Sequence, residues 1–121
     1  MQPAWGTVTT AVQAQRGTVN ALHTKAFTAW INHSVGTQLT DCTRELGTGL
    51  VLIRLVEHFT GTRCPFPYKQ NPASRAFAVD NVSVALRFLG QYVPNLTVAP
   101  ADVVDGNAQV VLGLLWRMIL K

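Results

Sequence analysis

Residues 102–120 read DVVDGNAQVVLGLLWRMIL, and this stretch decides the fold. Asp105-Gly106 marks a turn, because glycine takes positive φ with no Cβ penalty. Asn107 then stands where an N-cap belongs, its side-chain oxygen free to accept an orphan backbone N–H. From Ala108 onward the chain is apolar, with Gln109 and Arg117 the only strongly polar breaks before Lys121. Val110, Val111, Leu114, Leu115, Met118 and Ile119 recur at helical spacing. Leu112, Trp116 and Leu120 widen the apolar surface beyond that stripe. A helix of this kind is packed on several sides or keeps part of its surface for a partner. At about 13 residues it falls short of the roughly 20 that a bilayer requires, so no membrane span is expected. It reads as the last core helix of one domain.

The totals agree with a single apolar-rich domain. The chain has 121 residues, 48% hydrophobic and 13% charged, against a usual charged share of about 25%. That length supports a core without disulfide or metal staples. The formal net charge is +4. A basic surface suits an acidic partner such as a filament, a nucleic acid or a membrane face. The basic residues are scattered from Arg16 to Lys121 with no dense cluster, so nucleic acid is not an expected partner.

Outward from the final helix, the chain divides into helices and breaks. Residues 1–17 read as an N-terminal extension, with Pro3, Gly6 and Gly17 as interruptions. Thr18 is a plausible cap, and Val19, Leu22, Ala26, Phe27, Trp30 and Ile31 predict a helix over 18–35 that Gly36 ends. A polar connection, 37–44, leads to a helix over 45–60, with Gly47 and Gly49 in its first turns and Gly61 closing it. Arg54 and Glu57, three apart, predict a surface ion pair. Cys64-Pro65-Phe66-Pro67-Tyr68 is extended, since each proline turns its predecessor away from the helical region. A helix over 73–92 follows, broken by Pro94-Asn95, and a short helical turn over 102–105 completes the order. No segment alternates strictly, so strands are not expected. The fold class is all-α: four principal helices with short connecting helical turns, the domain spanning 18–121.

Chemistry is sparse. The six carboxylates and three histidines fall into no nucleophile elbow, phosphate loop, dinucleotide glycine pattern, zinc-protease motif or calcium loop. No enzyme activity and no cofactor are expected. Cys42 and Cys64 lack C-x-x-C spacing and read as reduced, cytosolic residues. With His58 they still lack a fourth ligand for zinc, so no metal is expected. The first ten residues carry no basic-then-apolar secretory signal. Sequons at Asn32, Asn81 and Asn95 read as incidental, the first two lying inside predicted helices.

Five motifs in order carry a resemblance. Lys25-Ala-Phe-Thr-Ala-Trp-Ile-Asn32, Gly49-Leu-Val-Leu-Ile-Arg-Leu-Val-Glu57, Gly61-Thr-Arg-Cys-Pro-Phe-Pro67, Asp80-Asn-Val-Ser-Val-Ala-Leu-Arg-Phe-Leu89 and Asp102 to Ile119 resemble the successive signatures of a calponin-homology domain. The likeness is to the first of the paired domains in spectrin, α-actinin, filamin and dystrophin-type actin cross-linkers, over about residues 19–120. Three departures stand out. Thr48-Gly49 replaces the family's Asp-Gly, the loop between Trp30 and Gly49 is short, and His23 stands where Glu or Gln is usual.

The resemblance implies a cytoplasmic, cytoskeletal module that binds F-actin by surface complementarity. Carried over by position, one contact surface would be the outer face of the first helix: Asn20, His23, Thr24, Lys25 and Thr28. The other would come from Asn107, Gln109, Val110, Gly113 and Arg117 of the final turn and helix. Phe27, Trp30, Leu86, Leu115 and Trp116 are assigned to the core. Two alternatives stay open: a microtubule-binding domain of the same family, whose basic surface would meet acidic tubulin tails, and a signalling or scaffold module that seats a partner helix in a groove.

Overall fold

The Asp-Gly turn adopts the geometry its residues require. Gly106 has φ +74°, and Asn107 caps the helix that follows, its Oδ1 accepting from Val110 N at 3.3 Å. The computed structural model describes the backbone of residues 4–120 and the side chains of residues 20–119. In chain order the helices are α1 (Ala4–Val35), α2 (Cys42–Glu45), α3 (Leu50–Thr60), α4 (Arg75–Gly90), α5 (Pro100–Val104) and α6 (Ala108–Leu120). Four are principal and two, α2 and α5, are connecting turns, with no strand among the described residues. The fold is all-α as the periodicity implied.

α3 is the central element, with Leu52, Ile53, Leu55 and Val56 wholly buried. It packs on α1 and α4, and α6 closes the opposite side against α1, α2 and α5. Phe27 and Ile31 of α1, Val82, Ala85, Phe88 and Leu89 of α4, and Val111, Leu114, Leu115 and Met118 of α6 complete the core. Each of these side chains larger than alanine contributes about 1.5–3 kcal/mol of burial, which outweighs any local helix preference.

Several boundaries differ from the sequence reading by about two residues, and two differ by more. The first helix begins at Ala4 rather than at 18. No proline occurs between Ala4 and Val35, and one glycine inside a helix costs only about 1 kcal/mol relative to alanine, so Gly17 does not stop it. The helix expected over 45–60 begins only at Leu50, and a separate short helix, α2, forms over Cys42–Glu45 in the segment read as a polar connection, the two parted by the turn at Gly47 to Gly49. Gly49 has φ +82°, and a Cβ there would lie 2.6 Å from Asn81 Cβ and 2.8 Å from the backbone of Asn81 and Val82. Close approach to α4 therefore excludes any side chain at this point.

Polar anchors hold the long connections. Asn81 is fully buried. Its Oδ1 accepts from Lys69 N at 2.8 Å, and its Nδ2 donates to Thr48 O at 3.1 Å and Lys69 O at 2.8 Å. Asn32 clamps the turn after α1 by accepting from Leu39 N (2.8 Å) and Thr37 Oγ1 (2.7 Å) and donating to Leu39 O (2.9 Å). Arg54 and Glu57 do not form the expected ion pair. Arg54 Nη2 donates to Val35 O at 2.6 Å, and Glu57 Oε2 accepts from Cys64 N at 2.9 Å. Each is drawn to an unpaired backbone group, which is worth more than a solvated pair. Ser74 caps α4 by accepting from Phe77 N. Arg75 forks onto Asp105, Nε to Oδ1 at 3.1 Å and Nη2 to Oδ2 at 2.8 Å.

Candidate functional site

Asn20, His23 and Phe27 lie at i, i+3 and i+7 on α1, one face by helical spacing. Gln109, Leu112, Gly113 and Trp116 repeat the pattern on α6. Where the helices meet, these residues line one groove of about 240 Å³. Its wall is aromatic. The His23 and Trp116 rings stack with centroids 6.1 Å apart and planes at 17°. Phe27 lies 5.9 Å from His23 and 5.8 Å from Trp116. Leu112 and Phe27 are buried beneath this wall, whereas Trp116 is 49% exposed. A Cβ added at Gly113 would meet nothing within 4 Å, so the groove is open above that residue.

The two surfaces expected from sequence are thus partly one surface. Asn20, His23, Gln109 and Gly113 come together in the groove. Lys25 is exposed but lies two residues, about 200° of helical arc, from His23. Thr28 is a correction. It is only 6% exposed, and its hydroxyl donates to Thr24 O at 2.6 Å and accepts from Cys42 N at 3.0 Å. That hydroxyl links α1 to α2 and has nothing to offer a partner. Thr24 is half-buried beside it, its carbonyl also accepting from Cys42 Sγ at 3.7 Å. Asn107 is exposed but serves as the α6 cap. Val110 leans on the core. Arg117 is exposed and turned to the α4–α5 connection, donating to Pro94 O at 2.7 Å and Asn95 O at 3.2 Å.

Trp116 is the residue the sequence reading missed, having assigned it to the core. Its signal was available: it sits seven residues after Gln109 and three after Gly113, on the least apolar line of α6. Leu22 is also exposed at 62%, and Trp30 and Leu86 are half-buried rather than interior. Phe27 and Leu115 are core as expected.

The electrostatics of the described side chains are structural in origin. Burial pushes the Cys42 thiol above its ordinary range. Hydrogen bonds from Asp41 N and from Thr40 hold the Glu45 carboxyl below the usual range, since its Oε1 accepts from all three donors at 2.6–2.8 Å. Arg75 does the same to Asp105. Among the described residues no three His, Cys, Asp or Glu side chains converge as a metal set would. No helix among them is long and apolar enough to cross a membrane.

Two further grooves lie elsewhere. One, of about 260 Å³, runs beside Tyr68, Lys69, Asp80 and Val84. The other, of about 310 Å³, lies among Trp30, His58, Phe59 and Ile119. Neither gathers residues from the two expected surfaces.

Compared with known families, residues 22–121 match the calponin homology (CH) domain. The chain belongs to the calponin homology family. This CH domain is 32% identical over 106 residues to alpha-actinin-like protein 1 of Schizosaccharomyces pombe, covering 84% of the chain and 17% of that protein. It is 39% identical over 98 residues to filamin-C of Rattus norvegicus, covering 78% of the chain and 4% of filamin-C. With the human spectrin beta chain, non-erythrocytic 4, it shares 37% identity over 105 residues, covering 84% and 4%. The chain therefore spans less than a fifth of each of these relatives.

Proposed function

We propose that this CH domain is a cytoskeletal filament-binding module that takes F-actin against the groove between α1 and α6. One observation carries the reading: residues expected at the contact from two distant parts of the chain line a single groove around a half-exposed tryptophan. Tryptophan is enriched among the few residues that dominate protein interfaces, because it presents a large rigid surface with little rotamer entropy to lose. Asn20, His23, Gln109 and Gly113 form the contact, with Phe27 and Leu112 as its floor. Lys25, on another face of α1, and Arg117, beside the α4–α5 connection, lie outside the groove and contribute through their positive charge, while Thr24, Asn107 and Val110 serve the packing and capping of α1 and α6. The net charge of +4 favours encounter with an acidic filament, an attraction that added salt screens. Binding in this reading involves no catalysis and places the protein in the cytoplasm on the cytoskeleton. Residues 18–121 constitute the binding domain, with 1–17 an N-terminal extension.

Co-sedimentation with F-actin, and in parallel with microtubules, tests the proposal across a salt series. The wild type should pellet with F-actin and less so as salt rises. Gly113→Glu should abolish pelleting while leaving circular dichroism and melting intact, because the open space at Gly113 accommodates a side chain. Trp116→Ala should weaken binding by about 2 kcal/mol or more, roughly 30-fold, as loss of a central anchor does. Pelleting with microtubules alone, or with F-actin unaffected by both substitutions, would overturn the reading.

A further inference from the structure

Among aspartyl bonds Asp-Gly is the one most open to a spontaneous backbone rearrangement, and Asp105-Gly106 sits at the entry to α6. We propose that this bond is a latent isoaspartate-forming site held in check by the Arg75 latch.

The step is balanced by water alone. The Gly106 backbone nitrogen attacks Asp105 Cγ, its amide proton passes to solvent, and the carboxyl hydroxyl leaves as water, closing a succinimide. Water then adds to either carbonyl of the ring and reopens it as aspartate or isoaspartate. Glycine favours the attack because no Cβ shields its nitrogen and the peptide plane turns freely. Only a protonated carboxyl loses its oxygen as water, so the rate at neutral pH follows the small neutral fraction.

Three features oppose the reaction. At φ −81° and ψ −1° for Asp105, the Gly106 nitrogen eclipses Asp105's own nitrogen instead of lying on the Cβ side where the ring would close. The same nitrogen donates to Val103 O at 3.2 Å, a bond that must break first. Arg75 grips both carboxylate oxygens, at 3.1 and 2.8 Å. The latch acts twice. It ties the side chain to the start of α4, away from Gly106, and it favours the ionised, unreactive carboxylate, consistent with the lowered Asp105 pKa. Each unit of such lowering reduces the neutral fraction about tenfold. Asp105 remains exposed to the water that both steps exchange.

Conversion would route the backbone through the side-chain methylene, lengthening it just before Asn107. The Asn107 cap would shift, carrying the first turn of α6 with it, and Gly106 would move in a space so narrow that even an added Cβ would lie 3.3 Å from Thr43 O.

Ageing the protein in heavy-oxygen water at neutral pH and physiological temperature provides the test. Each ring opening leaves one heavy oxygen in the proteolytic peptide that contains residues 102–107, read by mass, and isoaspartate blocks cleavage there by an aspartate-directed protease. The urea-unfolded wild type should label fastest. Arg75→Gln, its fold checked by circular dichroism, should label several-fold faster than the folded wild type. Arg75→Lys, which keeps a cation without the fork, should fall between them and decides the question if Arg75→Gln proves unfolded. Labelling of the folded variants at the wild-type rate would overturn the role of the latch. An unfolded chain labelling no faster than the folded one would overturn the site.

Discussion

Asn81→Ala should be among the most damaging single polar substitutions in this domain. The side chain is wholly buried and joins three segments: α4, the turn before α3 through Thr48, and the 61–73 connection through Lys69. Alanine removes three hydrogen bonds of 2.8–3.1 Å and leaves one N–H and two carbonyls seeking partners. At about 0.5–1.5 kcal/mol net for each bond, the loss is about 2–4 kcal/mol. At about 4 °C per kcal/mol for a domain of this size, melting should fall by roughly 8–16 °C. Urea unfolding measures the energy directly, and hydrogen exchange at the Lys69 amide reports whether the connection has come loose. Asn81→Asp sharpens the test. It retains an acceptor for Lys69 N but turns an oxygen toward Thr48 O and Lys69 O. The buried carboxylate should have a raised folded pKa, so the deficit should be large at neutral pH and shrink as pH falls toward the unfolded value of about 3.9. A loss below about 1 kcal/mol for Asn81→Ala, with Lys69 exchange unchanged, would refute the idea that this side chain holds the connection.

Gly49→Ala should cost about 3 kcal/mol or more, combining the left-handed backbone with a clash against Asn81 and Val82. Gly61→Ala shares the positive φ but meets nothing within 4 Å, so it should cost only about 1–2 kcal/mol; equal urea midpoints would contradict this account. The Glu45 carboxyl is lowered in the folded state, so its stabilisation is full above the unfolded pKa of about 4.3 and disappears as pH falls through the lower folded value. Glu45→Gln should therefore flatten the acid limb of a pH–stability curve, and an acid limb identical to the wild type would count against it. Thr28→Val should lower stability by about 1–3 kcal/mol, because Cys42 N loses its acceptor. Its F-actin co-sedimentation, measured where the variant is folded, should stay at the wild-type level.

Helix identity and most helix ends were legible because they are decided within a few residues. Gly61 and Gly106 at positive φ, Asn107 as a cap, and the spacing of apolar residues in α3, α4 and α6 act locally, so pattern alone reveals them. The family motifs, too, are strings of neighbours. Contacts across the fold decided the rest. The α2–α3 break exists because Gly49 meets Asn81, 32 residues farther on, and Arg54 and Glu57 turn to backbone groups in other segments rather than to each other. The site shows the same division. The family resemblance, carried over by position, marked Asn20, His23, Gln109 and Gly113, but only the packing of α1 on α6 brought them into one groove. That packing also turned Trp116 outward, while α2 covered Thr28. Side-chain polarity records a residue's preference for water, whereas exposure depends on which face of a helix its neighbours cover. The sequence by itself therefore determined what the helices are and where most end, and the tertiary structure decided which residues remain available to a partner.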